Sequence, residues 1–125
     1  MTHYLVATRS VHTTAAACDY LGEELAPDDA VTVLTVADET TDRDGDDALN
    51  VAVARLSGLV AVDQERRTGD PGEAILATAA DAGADRIVVG ARRGEPGTPR
   101  HVGQTATHVL ERADVPVVVV PLPDL

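Results

Sequence analysis

Residues 86–113 read RIVVGARRGEPGTPRHVGQTATHVLERA. The stretch opens on an apolar, β-branched run that ends at Gly90 and passes through a loop of glycines, prolines and arginines. It then continues into Val102, Ala106, Val109, Leu110 and Ala113, which recur at helical spacing. A buried strand leading through a glycine-rich loop into an amphipathic helix is a layout that cradles phosphate. Glycine lets an anion approach the backbone, and the helix start offers unpaired N–H groups. The same stretch decides the fold, because PVVVVPL at residues 116–122 reads as a further strand directly after that helix. Two parallel neighbours need such a crossover between them.

The alternation continues toward the N-terminus. In TGDPGEAILATAADAGAD, residues 68–85, Asp70 is placed to cap a helix, Pro71 sits at its first position, Glu73 completes a capping box and Gly83 ends it. A short strand around Val60 to Glu65 precedes it. Further back, Leu49, Ala52, Val53, Leu56 and Val60 mark one face of a helix that follows the acidic loop DETTDRDGDD, residues 38–47. Ala30 to Ala37, AVTVLTVA, reads as a strand. Residues 11–25 read as a helix whose stripe is Val11, Ala15, Cys18, Gly22 and Leu25, and His3 to Thr8 is the first strand. Five strands joined by four helices predict an α/β domain over residues 1–125, an open parallel sheet with helices on both faces. In such sheets ligands bind beyond the carboxyl ends of the strands, where strand order reverses.

Composition bounds the partners. The formal net charge is -11, and all ten basic residues are arginine. Phenylalanine and tryptophan are absent, and two tyrosines are the only aromatic residues. A surface this acidic resembles that of proteins from extreme halophiles; a GC-rich mesophilic genome, which favours Arg, Ala and Asp, is the alternative. Either origin argues against nucleic acid as a partner. No apolar run is long enough to span a bilayer and no secretory leader opens the chain, so a cytoplasmic protein without a membrane partner is expected. The single cysteine, Cys18, fits a reducing compartment.

Three stretches carry a family resemblance: YLVATRS at 4–10, GDPGEAILATAADAGADRIVVGARR at 69–93 and GQTATHVLERADVPVVVVP at 103–121. The chain resembles a single-domain universal stress protein, and its acidity suggests the haloarchaeal type. The resemblance implies a Rossmann-like sheet of strand order 3-2-1-4-5, with the reversal between the first and fourth strands. It also implies an ATP loop of pattern G-x2-G-x9-G-[ST]. Gly90 and Gly103 hold the first and third glycine positions. Arg93 stands at the second, with Gly94 next, and Gln104 stands at the Ser/Thr position, with Thr105 next. Arg9 replaces the aspartate that usually lines the nucleotide site. The candidate nucleotide or anion contacts are therefore Ala7, Thr8, Arg9, Val36, Gly90, Arg92, Arg93, Gly94, Arg100, Gly103, Gln104 and Thr105. Arg92, Arg93, Arg100 and His101, with Arg9, either surround the helix start as an anion site or pair with the chain's own carboxylates.

The resemblance further implies a homodimer through the final strand, Pro116, Val117, Val118, Val119, Val120 and Pro121, an apolar edge bracketed by prolines. The expected function is a non-enzymatic regulatory or protective stress module with a degenerate nucleotide loop, working through dimerisation and protein partners. The alternative is an ATP-binding member, with Mg2+ and slow hydrolysis, whose loop has adjusted around Gly94. No catalytic set is legible. Cys18 lies on an apolar stripe, which makes packing its role rather than nucleophilic work with His12, His101 or His108. His3 carries no partner signal, and His108 reads as solvated or partly covered. The acidic loop lacks the first Asp (Thr40) and closing Glu (Val51) of a calcium loop, so no metal is expected, and Asp46 or Asp47 reads as a helix cap.

Overall fold

The computed structural model describes residues 1–37, 43–91 and 102–122. They form β1 (His3–Ala7), α1 (Val11–Glu24), β2 (Ala30–Ala37), α2 (Arg43–Leu56), β3 (Ala61–Thr68), α3 (Pro71–Ala82), β4 (Arg86–Gly90), α4 (Gln104–Arg112) and β5 (Val117–Val120). The sheet order is β3-β2-β1-β4-β5, and every neighbouring pair is parallel. This is the expected order, with the reversal between β1 and β4.

Apolar runs on both faces explain the two cores. β2 is buried along its middle, as a parallel strand covered on both sides must be. Tyr4, Val6, Val31, Val33 and Val88 meet Cys18 and Leu21 of α1 and Leu49, Ala52 and Leu56 of α2 on one face. Leu5, Leu34, Val36, Ile87 and Val89 meet Ile75 and Ala79 of α3 and Ala106 and Val109 of α4 on the other.

Local signals set the helix ends. Asp70 Oδ2 accepts from the Glu73 N–H at 2.9 Å, Pro71 opens α3, and Gly83 closes it at φ 66°. The Glu73 side chain does not turn back to make the expected box; its carboxylate faces His108 of α4. Ser10 caps α1, accepting from the Thr13 N–H at 3.2 Å.

Four expectations are corrected. The buried face of α1 is Thr14, Ala17, Cys18 and Leu21, whereas Val11 is 39% exposed and Gly22 is exposed. Alanines all round this helix blur its apolar stripe, and Thr14 goes inside because its hydroxyl reaches Ser10 O, Ala48 O and Thr8 Oγ1 at 2.9–3.3 Å. On α4 the buried residues are Ala106 and Val109, while Leu110 is exposed and Val102 precedes the helix. β3 runs to Thr68 rather than Glu65, because it pairs with the whole of β2 from Ala30↔Ala61 to Ala37↔Thr68. Asp46 and Asp47 lie within α2 rather than capping it, and Asp46 Oδ1 takes the Arg66 Nε–H at 2.8 Å.

Asp29 fastens the start of the sheet. Its buried carboxylate accepts from Ala26 N–H at 2.8 Å and Thr2 N–H at 2.7 Å. These two bonds, Ala26 first, hold its pKa below the ordinary carboxylate value against the opposing effect of burial. A depressed folded-state pKa contributes stability above about pH 4, and that contribution is lost as pH falls through the folded value. Asp29→Asn is therefore expected to melt below the parent at neutral pH, with the two melting temperatures converging in acid. A gap that stays constant down the pH series would show that the charge on Asp29 is not what stabilises this corner.

Candidate functional site

The reversal between β1 and β4 opens a cleft of about 450 Å3 at the carboxyl ends of the strands. Ala7 and Thr8 reach it from the end of β1 and Val36 from β2; Gly90 reaches it from the end of β4. Arg9 stands at its edge, and Gly103, Gln104 and Thr105 bring the start of α4 to it. The structure thus gathers every described candidate residue around one space. Arg92, Arg93, Gly94, Arg100 and His101 lie outside the described residues.

Thr8 is buried, and its hydroxyl is used inside the protein. It donates to Ser10 O at 3.0 Å, lies 2.9 Å from Thr14 Oγ1, and its N–H extends the β1–β2 ladder to Leu34 O at 2.9 Å. Thr8 therefore fixes the loop that carries Arg9. Arg9 itself is exposed and, among the described residues, has no ion pair. The other arginines whose side chains are described are engaged: Arg55 with Asp19, Arg66 with Asp46, Arg67 with Asp81, Arg112 with Glu73, and Arg86 over the Tyr4 ring. Of the cationic residues expected either to form an anion site or to pair with the chain's own carboxylates, Arg9 alone lies among the described residues, and there it has no carboxylate partner.

Two glycines are required for different reasons. A Cβ on Gly90 would sit 2.8 Å from Thr13 Cγ2 of α1, so the close approach of that helix alone demands glycine. Gly103 precedes α4 at φ 91° and ψ 163°, a backbone region that is essentially glycine-only. It supplies no side-chain cap, which leaves the first N–H groups of α4 without a side-chain partner at the cleft. Gln104 is exposed and Thr105 half-buried at this helix start.

The position of α4 is held from behind. His108 Nε2 lies 2.8 Å from Glu73 Oε1, and Arg112 Nη1 lies 3.5 Å from the same oxygen. The imidazole lies against Gly72, where an added Cβ would come within 2.5 Å of its ring. Asp70, Glu73 and His108 bring ligand-type atoms within 4.8 Å of one another. Capping and ion pairing already engage all three, so this cluster reads as a clasp between α3 and α4. Cys18 packs in the α1–α2 core, where burial pushes its thiol pKa up and Arg55 only partly offsets that. Burial and the raised pKa both disfavour the nucleophilic thiolate there.

Sequence reasoning missed Thr13, Leu34, Pro71, Ile75, Val89, Val102 and Ala106, which also line the cleft. Ile75, Val89 and Ala106 read as core because they are core; their outer edges form the cleft's apolar floor. Thr13 was findable as the first turn of the helix that follows the first loop.

The chain matches the model of the universal stress protein family over residues 1–121. The chain belongs to the universal stress protein family. No curated protein sequence matches it significantly. Among solved structures, the hypothetical protein MJ0577 is 21% identical with a TM-score of 0.82, over 99% of this chain and 98% of that one. A universal stress protein in complex with cAMP is 19% identical with a TM-score of 0.74, over 98% of each chain. The Arabidopsis thaliana family member At3g01520, with AMP bound, is 18% identical with a TM-score of 0.72, over 98% of this chain and 93% of that one. At these identities the likeness is one of fold. Among the described residues no helix is long and apolar enough to cross a membrane.

The close contact at Gly90 predicts a coupled pair. Gly90→Ala is expected to cost about 1–3 kcal/mol of stability through overpacking. Thr13→Ser removes the methyl and should restore a substantial part in the double variant, as read by urea denaturation. Equal costs in the two backgrounds would show that Thr13 is not what excludes a side chain at Gly90.

Proposed function

We propose that this protein is a nucleotide-responsive regulatory or protective module, one universal stress protein domain over residues 1–125 that works as a homodimer and not as an enzyme. One observation carries the reading. The cleft at the strand reversal places an uncapped helix start, two glycines and an arginine with no ion pair among the described residues above an apolar floor. The floor of Val36, Ile75 and Val89 suits a purine base, and the N–H groups following Gly103 suit a phosphate. The AMP and cAMP complexes of two structural neighbours support adenine nucleotides as the ligand class.

Magnitudes assign the parts. Micromolar binding corresponds to about -8 kcal/mol. A helix end contributes only about 0.3–1 kcal/mol at an exposed site. Most of the affinity must therefore come from the buried base and from charge-assisted hydrogen bonds. No histidine, cysteine or carboxylate lines the described part of the cleft, which favours binding over hydrolysis.

A second reading rests on Gln104 and Arg93, which stand where the loop pattern has a short hydroxyl and a glycine. Gln104 is exposed at the first position of α4. In that reading the site is degenerate, and the module works through dimerisation and protein partners. Calorimetric titration of the native chain and Arg93→Gly with AMP and ATP decides between them. Molar KCl is the medium, matched to the acidic, halophile-like surface. Saturable micromolar binding to the native chain is the expected result. Binding by the variant alone would establish the degenerate site.

The two sheet edges favour dimerisation through β5. β3 carries Asp63, Glu65, Arg66 and Arg67, charges that guard an edge, whereas β5 is Val117–Val120 between prolines. Pro116 O and Val120 O point back to β4, accepting from Ile87 and Ala91 N–H. Alternation along the strand then directs the Val117 and Val119 backbone groups outward. Val119→Pro, tolerable at an outward-facing edge position, is expected to give a folded monomer by light scattering where the native chain is a dimer. A dimeric Val119→Pro would place the interface elsewhere.

A further inference from the structure

Magnesium is the cation that ordinarily accompanies a nucleoside polyphosphate, and the cleft can be tested for fit to it. Mg2+ demands near-octahedral oxygen coordination and is usually held by one or two carboxylates together with phosphate and water. Among the described residues lining the cleft there is no aspartate or glutamate. The Thr8 hydroxyl donates to Ser10 O at 3.0 Å, and Thr13 Oγ1 lies 3.1 Å from Ser10 Oγ. Gln104 and Thr105 leave only neutral oxygens. The fixed electrostatics also have the wrong sign for a cation. Arg9 lines the cleft without a carboxylate partner among the described residues, and the uncapped start of α4 presents the positive end of its dipole. Among the described lining residues a divalent cation would gain no carboxylate, and it would face the permanent positive charge of Arg9.

We infer that this cleft takes its nucleotide without a divalent cation, with the Arg9 guanidinium serving the phosphate in the cation's place. The inference rests on the nucleotide reading proposed above and adds the ionic form of the ligand. Guanidinium is suited to the role because it is always charged and offers a planar fork that can bind two phosphate oxygens at once. Arg9 is also well placed to act this way, since it follows Thr8, whose buried hydroxyl and N–H anchor the loop to α1 and β2. In molar salt, where charges further apart than about 3 Å are screened, only such direct contact discriminates between ligands. The favoured ligands are a nucleoside monophosphate, which hardly binds the cation, and a polyphosphate stripped of it. Mg-ATP, the ligand of the alternative reading of the sequence, is the form the described lining disfavours.

The test is calorimetry on the full chain in molar KCl, with AMP and with ATP, each in EDTA and in excess MgCl2. Native protein is expected to bind AMP equally in both buffers, and to bind ATP at least about tenfold more tightly in EDTA than with Mg2+. Arg9→Asp should reverse that preference for ATP. Arg9→Gln should lose about tenfold in AMP affinity with no rescue by Mg2+. Tighter ATP binding with Mg2+ by the native chain, or unchanged AMP affinity in Arg9→Gln, overturns the inference while leaving the nucleotide site standing. If neither nucleotide binds in either buffer, the nucleotide reading itself fails, and this inference falls with it. Arg9 is exposed, so matching melting curves for native and variants will separate a ligand effect from a folding effect.

Discussion

The pairing of β1 with β4, from Tyr4 beside Arg86 to Val6 beside Val88, is the constraint on which the functional end of the molecule depends. From β1 the chain proceeds outward to β2 and β3 on one side; from β4 it proceeds to β5 on the other. Loops leaving the two central strands must therefore part, toward α1 and toward α4. A space opens between them that no side chain from the sheet can fill. The apolar pattern of the strands is enough to produce it, before any residue is chosen for a ligand.

What the residues around that space add is precision of approach. Gly90 is needed because Thr13 of α1 comes so near β4, and Gly103 because the chain enters α4 at a positive φ. The clasp of Glu73 with His108 and Arg112, with the imidazole set closely against Gly72, then ties α4 to α3. A glycine found in a phosphate-loop pattern is thus not by itself a mark of ligand contact. Here one serves helix packing and the other a backbone turn, and both would be required in a chain that bound nothing.

The fold was legible wherever one physical signal dominated. AVTVLTVA and RIVVG were readable residue for residue because β-branched runs buried on both faces have little else to be, and Asp70, Pro71 and Gly83 marked α3 because each end was satisfied locally. Legibility failed where signals competed. β3 is an edge strand whose charges hide its last residues, and α1 carries so many alanines that its inward face is chosen by the hydrogen bonds of Thr14. At the site, the residues at loop ends were visible as pattern. Ile75, Val89 and Ala106 were not, because a floor of core residues looks the same from either side.

Charge distribution is the last step, and it separates Arg9 from its fellows. With 21 acidic residues against ten arginines, an arginine in this chain has carboxylates to spare within reach of most surface positions. Arg55, Arg66, Arg67 and Arg112 each have one. Arg9 has none among the described residues, although an exposed surface ion pair forms readily and costs little. Its described neighbours across the cleft are glycine, threonine, glutamine and apolar side chains, so the described lining is free of acid in a protein rich in it. An acidic surface repels anions in general; among the described residues, a lining without carboxylates that holds Arg9 beside a helix start is where that repulsion is locally weakest. The same lack of carboxylates among the described lining residues that suits a phosphate offers none of the ligands that ordinarily hold magnesium.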